Sequence, residues 1–472
     1  MSRRMSVSEQ FNIPSGVQRV LETLENAGFE AWLVGGCVRD SLRGVCPKDY
    51  DITTNAMTNE VMAAFKGFGV IATGLKHGTV TVISEGMPVE VTTYRVDGSY
   101  SDGRHPDSVS FASDIRSDLS RRDFTVNAMA YSPRRGYLDV FGGIGDLRAG
   151  IVRCVGAPER RFGEDALRIL RALRFSSVLG FDIEPATAHA IHRCKGALGK
   201  IAVERITQEF LLLLCGGNAG NVLRQYGDVI AGIIPPCSLM FGFEQHNPHH
   251  DYDVWEHTLR VVDAAPPERI LRLAALLHDV GKPLCFSTDE KGKGHFYGHA
   301  AKGEEIAREI FARYLRVDRR TEERVLFLVG HHDEYFLPER KILRRRLLKY
   351  GEEPLRQLIA LNRADIKGQS AALAKEKLDV LAASEDILDG IVSESACISL
   401  RSLEINGGDL MAMGVPKGPM IGTILHKLLG EVCDESLANA GEALRGRAVE
   451  LFNEIMQNNE GSDENEVERY EN

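Results

Sequence analysis

The sequence predicts a mixed α/β unit over residues 15–150 followed by an all-α remainder, and three patterns carry that prediction. Residues 15–150 alternate helix-like and strand-like stretches. From about residue 160 onward, apolar residues recur every three or four positions in segments such as DALRILRALRFSSVLG and RITQEFLLLLC, as one buried helix face requires. Over the same remainder, runs rich in β-branched residues almost vanish. Within the α/β unit, VQRVLETLENAG reads as an amphipathic helix ended by a glycine suited to its C-terminal cap. AWLVGG reads as a short buried strand, and TVTVIS and VEVTTY as β-branched strands. In the remainder, GGNAGN (216–221), IIPPCS (233–238) and SESACISL (393–400) break the helical pattern with Gly, Pro and Ser.

At 472 residues, with 43% hydrophobic and 26% charged content, the chain is longer than one core serves and predicts several packed units. The nine cysteines are scattered, with no CxxC pair, which points to reduced thiols and a cytoplasmic address. The opening MSRRMSVSEQFNIPSG lacks the apolar core of an export signal, and no later run approaches the ~18 apolar residues of a membrane span. The net charge of −10 argues against a nucleic-acid partner only until its distribution is read. Residues 458–472 carry six acids against one arginine and supply half of that charge, so they read as a solvated, disordered acidic tail. Basic residues gather elsewhere, at Arg153, Arg160, Arg161, Arg168, Arg171 and Arg174, at 316–320, and in ERKILRRRLLK (339–349). Solvated helix faces explain the last two equally well.

LVGGCVRDSLRG followed by PKDYDITT sets Gly35 and Gly36 straight after a strand, then a helix with Arg39 and Asp40, then Asp49 and Asp51. In a strand, residues two apart face one side, so Asp49 and Asp51 can share a divalent ion. Mg²⁺ held there would lower the pKa of an attacking hydroxyl and neutralise a departing pyrophosphate. The glycines leave room for backbone N–H groups to approach a triphosphate. A bare D-x-D also arises as a solvated acidic turn, so its companions decide. Glu90 in PVEVTTY is the candidate third carboxylate, with Glu85 as a loop-exposed alternative. SDLSRRDFTVNAMAY then clusters Arg121, Arg122, Asp123 and Asn127 ahead of what reads as an apolar helix, which Asp123 could simply cap. RRFGEDALRILRALRF places Glu164, Asp165, Arg168, Arg171 and Arg174 at helical spacings. Intrahelical salt bridges account for that spacing, but Asp and Arg together also offer the acceptors and donors that read a base edge without a template.

These motifs, with VERITQEF, resemble in order those of the class II CCA-adding enzymes and bacterial poly(A) polymerases of the polymerase β nucleotidyltransferase superfamily, over nearly the whole chain. The resemblance implies a polymerase β-like nucleotidyltransferase head at 15–150 and a helical neck with the base-selecting motif at 151–235. An HD domain at 240–375 and a helical tail module for tRNA at 376–457 follow. It implies Mg²⁺ at Asp49 and Asp51, nucleotide contacts from Gly36 and Arg39, and phosphate and ribose contacts from Arg122, Asp123 and Asn127. Asp165 and Arg168 would select CTP or ATP, and Arg171 and Arg174 would contact phosphates. Between the first two motifs, YRVDGSYSDGRHPDSVSF has the composition of a mobile loop. Family members that complete CCA keep such a loop, and this one retains Arg95, Asp102 and Arg104, with His105 where a second basic residue is expected.

The helical half holds a second ligand set: NPHHDYDVWEHTL, LLHDVGKP, GHAAKGEE, VGHHDEY and NRADIKG. Imidazole and carboxylate suit Mn, Fe, Ni or Mg. His257, His278, Asp279 and Asp365 are expected to hold one divalent ion, with His299, His331 and His332 available for a second and His250 nearby. The set looks like an HD-domain phosphohydrolase, which in some CCA enzymes resembles a phosphatase and 2′,3′-cyclic phosphodiesterase. The alternative is an HD body that only binds tRNA. LEINGGDLMAMGVPKGPMIGTILHKLLGEV resembles the tail that fits the tRNA elbow, although a Gly-punctuated helical cap fits equally well. The expected function is template-independent addition of C, C and A to a tRNA 3′ end from CTP and ATP by two-metal transfer, with no membrane. Poly(A) or A-only addition is the alternative product, and an HD phosphohydrolase with a nucleotide-binding head the alternative class, against which the intact head motifs count.

Overall fold

The computed structural model describes residues 11–75, 78–97, 109–112, 114–246, 252–369, 371–393, 400–433 and 436–467. The expected α/β unit is present. Helix Ser15–Asn26 buries Val17, Val20, Leu21 and Leu24, the face its three- and four-residue spacing predicts. The strands are β1 (Ala31–Val34), β2 (Asp51–Thr54), β3 (Gly69–Gly74), β4 (Thr79–Ser84), β5 (Met87–Thr93), β6 (Arg95–Asp97), β7 (Val109–Phe111), β8 (Met129–Ser132) and β9 (Gly136–Asp139). Seven of them form one sheet in the order β3-β4-β5-β2-β1-β8-β9, while β6 and β7 pair separately. β1 is buried on both faces, which explains its unbroken apolar run at the sheet centre. β2 and β5 run parallel, and their register puts Asp51 opposite Glu90.

After Val152, the described residues contain only two-residue strands among helices. One continuous apolar core runs from Val17 through the neck helices to Ile391. Residues 403–451 have a second core of their own, built on Leu410, Ile424, Leu428 and Leu444. No helix among the described residues is long and apolar enough to cross a membrane.

Four local expectations change. The segment after Arg121-Arg122-Asp123 is no apolar helix: a 3-10 turn, Thr125–Asn127, leads into β8. Pairing of Ala130 and Tyr131 with Val34 and Leu33 claims those residues for the sheet, a tertiary demand stronger than local propensity. Residues 160–175 form two helices, Pro158–Glu164 and Leu167–Leu179, because Asp165 is extended and its Oδ1 accepts the Leu167 N–H at 3.0 Å. The ends of the expected mobile loop pair as the β6–β7 ribbon, while Asp102, Arg104 and His105 lie outside the described residues. Helix Gly441–Val467 continues into the segment read as a disordered tail, although the Asn, Ser, Asp and Gly of residues 458–467 are poor helix formers.

Candidate functional site

The head closes on the neck around a cleft of about 610 Å³. Gly35, Gly36, Arg39, Asp49, Asp51, Arg122, Asp123, Asn127, Asp165, Arg168, Arg171 and Arg174 all line it. Glu90 is brought beside Asp51 by the β2–β5 register instead. Asp49 lies just before β2 rather than in it, yet the alternation survives: Tyr50 is buried, while Asp49 and Asp51 both face the cleft. Burial, then the charges of Glu90 and Asp49, outweigh the Arg122 guanidinium and push the Asp51 carboxyl up to about 6. A carboxylate so disfavoured in its ionised form suits a bound cation.

Gly35 is required by its backbone, and a side chain there would also push Arg122 aside. Its φ of +76° favours glycine, and a Cβ there would stand 2.9 Å from Arg122 Nη1. At Gly36 a Cβ would meet only ordinary contact, 3.6 Å from Arg39 Nη2, so the two glycines are not equivalent.

Across the cleft a chain of polar contacts joins the head to the neck. Arg39 donates to Asn127 Oδ1 at 2.7 Å, and Asn127 donates to Asp123 Oδ1 at 3.2 Å. Arg171 clamps Asp123 Oδ2 through Nε and Nη2 at 2.8 and 2.6 Å. Burial alone would raise the Asp123 pKa, but Arg171, with help from Asn127, holds it at about 2. Arg171 and Arg174 reach Glu209 at 3.6 and 2.9 Å, and Arg39, Arg171 and Arg174 all lie over the Phe175 ring. The intrahelical pairing expected of Asp165 and Arg168 is not formed. Arg168 bonds Glu164 at 2.7 Å, and Asp165 Oδ2 accepts from Arg205 at 2.9 Å. With Arg121 and Arg205 the cleft holds seven arginines against four aspartates, a field suited to a polyphosphate.

Arg205, Glu209 and Phe175 were missed by the sequence reading. Arg205 and Glu209 sit four residues apart in VERITQEF, so helical spacing puts them on one face of helix Val203–Leu214, where Arg205 lines the cleft and Glu209 holds Arg171 and Arg174. Nothing in the sequence distinguishes Phe175 from a core phenylalanine.

In the helical half, two groups of ligand atoms converge: His257, His278 and Asp279, and Asp279, His299 and His332. Asp279 belongs to both. Its Oδ2 lies 3.4 Å from His257 Nε2 and 3.2 Å from His278 Nε2, and its Oδ1 lies 3.7 and 3.5 Å from His299 and His332 Nε2. Asp365 Oδ1 joins the first group, 2.9 Å from His257 Nε2. In all four histidines Nδ1 lies 2.7–3.3 Å from a backbone carbonyl, those of Gly368, Ala275, Phe296 and Val329. With Nδ1 beside a carbonyl, each ring turns its Nε2 edge inward, toward the carboxylates and the facing histidine. The Nε2 atoms of His257 and His278 are 3.3 Å apart and those of His299 and His332 3.2 Å apart, so imidazole nitrogens and carboxylate oxygens converge on two small volumes. The residues therefore fit divalent metal. Lys282, itself buried, reaches Asp279 Oδ2 at 2.7 Å. Gly281 permits the close approach behind the site, where a Cβ would fall 2.3 Å from the His299 carbonyl oxygen.

His331, expected with the second group, is excluded. Its Nδ1 faces the Phe327 carbonyl at 2.8 Å and its ring packs on Phe327 and Tyr350, a helix-surface role. His250 lies outside the described residues.

Residues 31–153 match the family model for the poly(A) polymerase head domain, and 180–227 that for a probable RNA- and SrmB-binding site of polymerase A. Residues 250–367 match the HD domain and 320–448 a putative tRNA nucleotidyltransferase domain 2. A CCA-adding enzyme of Limosilactobacillus fermentum is 31% identical over 436 residues, 92% of this chain and 96% of that protein. One of Leuconostoc mesenteroides is 47% identical over 207 residues, where the match spans 44% of this chain and only 51% of the relative. The crystal structure of the Bacillus stearothermophilus CCA-adding enzyme in complex with CTP superposes with a TM-score of 0.71 at 27% identity, covering 94% of this chain and 100% of that one.

Proposed function

Since the chain belongs to the CCA-adding enzyme family, we propose that it adds C, C and A to the 3′ end of tRNA from CTP and ATP, without a template, in the cytoplasm. One observation carries this reading: a single arginine-rich cleft holds the Asp49–Asp51 carboxylates together with the Asp165 and Arg168 side chains. In the reaction the RNA 3′-oxygen forms a bond to the α-phosphorus, the α–β bridging bond breaks, and pyrophosphate leaves as the 3′-hydroxyl proton is given up. Asp49 and Asp51, backed by Glu90, would hold Mg²⁺. When bound, Mg²⁺ supplies Lewis-acid stabilisation of the charge on the reacting oxygens.

The protein's own groups do the rest. Arg39, with Asn127 and Asp123 behind it, fixes the sugar and triphosphate, and Arg122, Arg171 and Arg174 offset the phosphate charge. Cytosine and adenine each present an amino donor beside a ring-nitrogen acceptor, so one carboxylate and one guanidinium can read both. Arg205 holds the Asp165 carboxylate in place for that purpose. Incubating a tRNA that ends at the discriminator base with CTP and ATP, separately and together, tests the reading. Products longer by CC with CTP alone and by CCA with both are expected; an A-only or poly(A) product overturns it.

A second reading concerns the histidine cluster, favoured by the four inward-facing Nε2 atoms and the shared Asp279. The HD domain is a divalent-metal phosphohydrolase, loaded with Mn²⁺, Ni²⁺, Mg²⁺ or a similar ion on His257, His278, Asp279 and Asp365, with His299 and His332 beside them. Metal analysis of the purified protein decides it: metal-free protein without phosphatase activity, after loading with each ion, removes the reading.

A further inference from the structure

The histidine–aspartate cluster of the HD domain opens into two lobes rather than one. The first, of about 210 Å³, is walled by Phe336, Ile366, Val380 and Leu381, with Asn362 and Lys377 at its edge. The second, of about 390 Å³, is bounded by Lys282, His295, Phe296 and Tyr297. His332, Asp333, Asp365 and Gln369 belong to both lobes, so the cluster stands where the two meet. Each lobe also carries a tyrosine that the fold leaves in solvent: Tyr335 is 65% exposed in the first and Tyr297 78% exposed in the second.

Exposed aromatic rings beside a phosphate site are surfaces on which nucleobases stack. The Tyr297 ring is also held in orientation, stacked on the His295 imidazole at 5.3 Å between centroids with only 6° between planes. The buried Lys282 ammonium lies between the ring of Phe296 and Asp279, on the second-lobe side of the cluster, where a phosphate charge would sit. A phosphomonoesterase needs one recess beside its metal site. Two recesses, each with a stacking surface, suit a phosphate that carries an organic group on both sides.

We propose that the HD site takes a nucleotide phosphodiester, the end of a single RNA strand, with its phosphate over the histidine cluster, one nucleoside in the Tyr335 lobe and its neighbour against Tyr297. This rests on the metal-phosphohydrolase reading of the cluster. In the hydrolysis, water oxygen forms the new bond to phosphorus, the ester P–O bond breaks, and the departing oxygen takes a proton from that water, leaving a monoester on one nucleoside and a hydroxyl on the other.

Two measurements on the full-length protein test it. A dinucleotide containing 4-thiouridine, photo-crosslinked and mapped by mass spectrometry, should mark the peptides around Tyr297 and Tyr335. Second, Tyr297→Ala and Tyr335→Ala should each raise KM for ApA about tenfold or more relative to their effect on KM for glycerol 2-phosphate, which has no ring to stack. Leu284→Ala, which trims an exposed apolar residue outside both lobes, should leave both KM values unchanged. Crosslinks confined to the head, or equal KM effects on both substrates, overturn the two-lobe inference while the phosphohydrolase reading stands. Crosslinks at both tyrosines in a protein that cleaves neither substrate with any metal overturn hydrolysis and leave a nucleotide-binding site.

Discussion

Removing the Asp51 charge should stabilise the metal-free protein while abolishing its activity. Burial and the neighbouring Glu90 and Asp49 raise the Asp51 pKa from 3.8 to about 6. The folded state therefore resists ionising this group. Below about pH 4 both folded and unfolded chains hold the proton and no cost exists; the cost grows between pH 4 and 6 and is complete above. At ~1.4 kcal/mol per pH unit the difference is about 3 kcal/mol, or 1–3 after allowance for the solvent that reaches the cleft. Asp51→Asn removes that cost. The chain has two tryptophans, Trp32 in β1 and Trp255 in the HD half, so in a Trp255→Phe background fluorescence follows the head alone. In urea and EDTA at pH 8, Asp51→Asn should move the unfolding midpoint reported by Trp32 up by about 0.3–1 M, for an m-value of ~3 kcal/mol/M. The gain should disappear at pH 4. Added Mg²⁺ should raise the midpoint of the parent but not of the variant, whose nucleotide incorporation should fall by ~10³-fold or more. A variant no more stable than its parent at pH 8, or equally stabilised at pH 4, would refute the electrostatic account of the carboxylate cluster.

Asp123 carries the opposite sign: its pKa of about 2 lies below the unfolded value, so its contribution is full above pH 4 and fades as pH falls toward 2. Asp123→Asn leaves Arg171 with the more distant Glu209 carboxylate and should cost about 1–3 kcal/mol at pH 7, read as a lower urea midpoint whose acid dependence between pH 4 and 2 is reduced. Gly35→Ala must adopt φ +76° and crowd Arg122, so a loss of about 1–3 kcal/mol together with a lower kcat is expected from unfolding and primer-extension assays. Arg205→Ala frees Asp165, and its effect should appear as an altered ratio of kcat/KM for CTP over ATP, which a general loss of fold would leave constant. His278→Ala and Asp279→Ala should each lower bound metal measured by mass spectrometry, the second more, because Asp279 belongs to both ligand groups.

Much of the architecture was legible because it rests on local pattern. Helix Ser15–Asn26, the buried β1 and the amphipathic neck helices follow from spacing that a single window of sequence displays. Asp49 and Asp51 were readable for the same reason. Their side chains depend on alternation alone, which persists although Asp49 falls outside the strand. What escaped was set by distant partners. The residues after Asp123 form a strand because β1 needs a neighbour, and Asp165 interrupts its helix because its side chain bonds the backbone of Leu167. The exclusion of His331 while adjacent His332 joins the cluster is a matter of helix phase at the end of Arg319–His331, where one residue turns the ring by about 100°. Glu209 gives no sequence sign that two arginines from another helix will close on it.

The separate apolar core of residues 403–451 has a consequence for how such a chain can be altered over time. Head, neck and HD body share one core, so none of them can be exchanged without repacking the others. The tail meets that body through surface contacts, among them Leu348 from the basic helix Arg340–Tyr350. It is the one part that insertion, shortening or replacement can reshape while the catalytic cleft keeps its geometry. Sequence change can therefore accumulate there at a rate uncoupled from the chemistry.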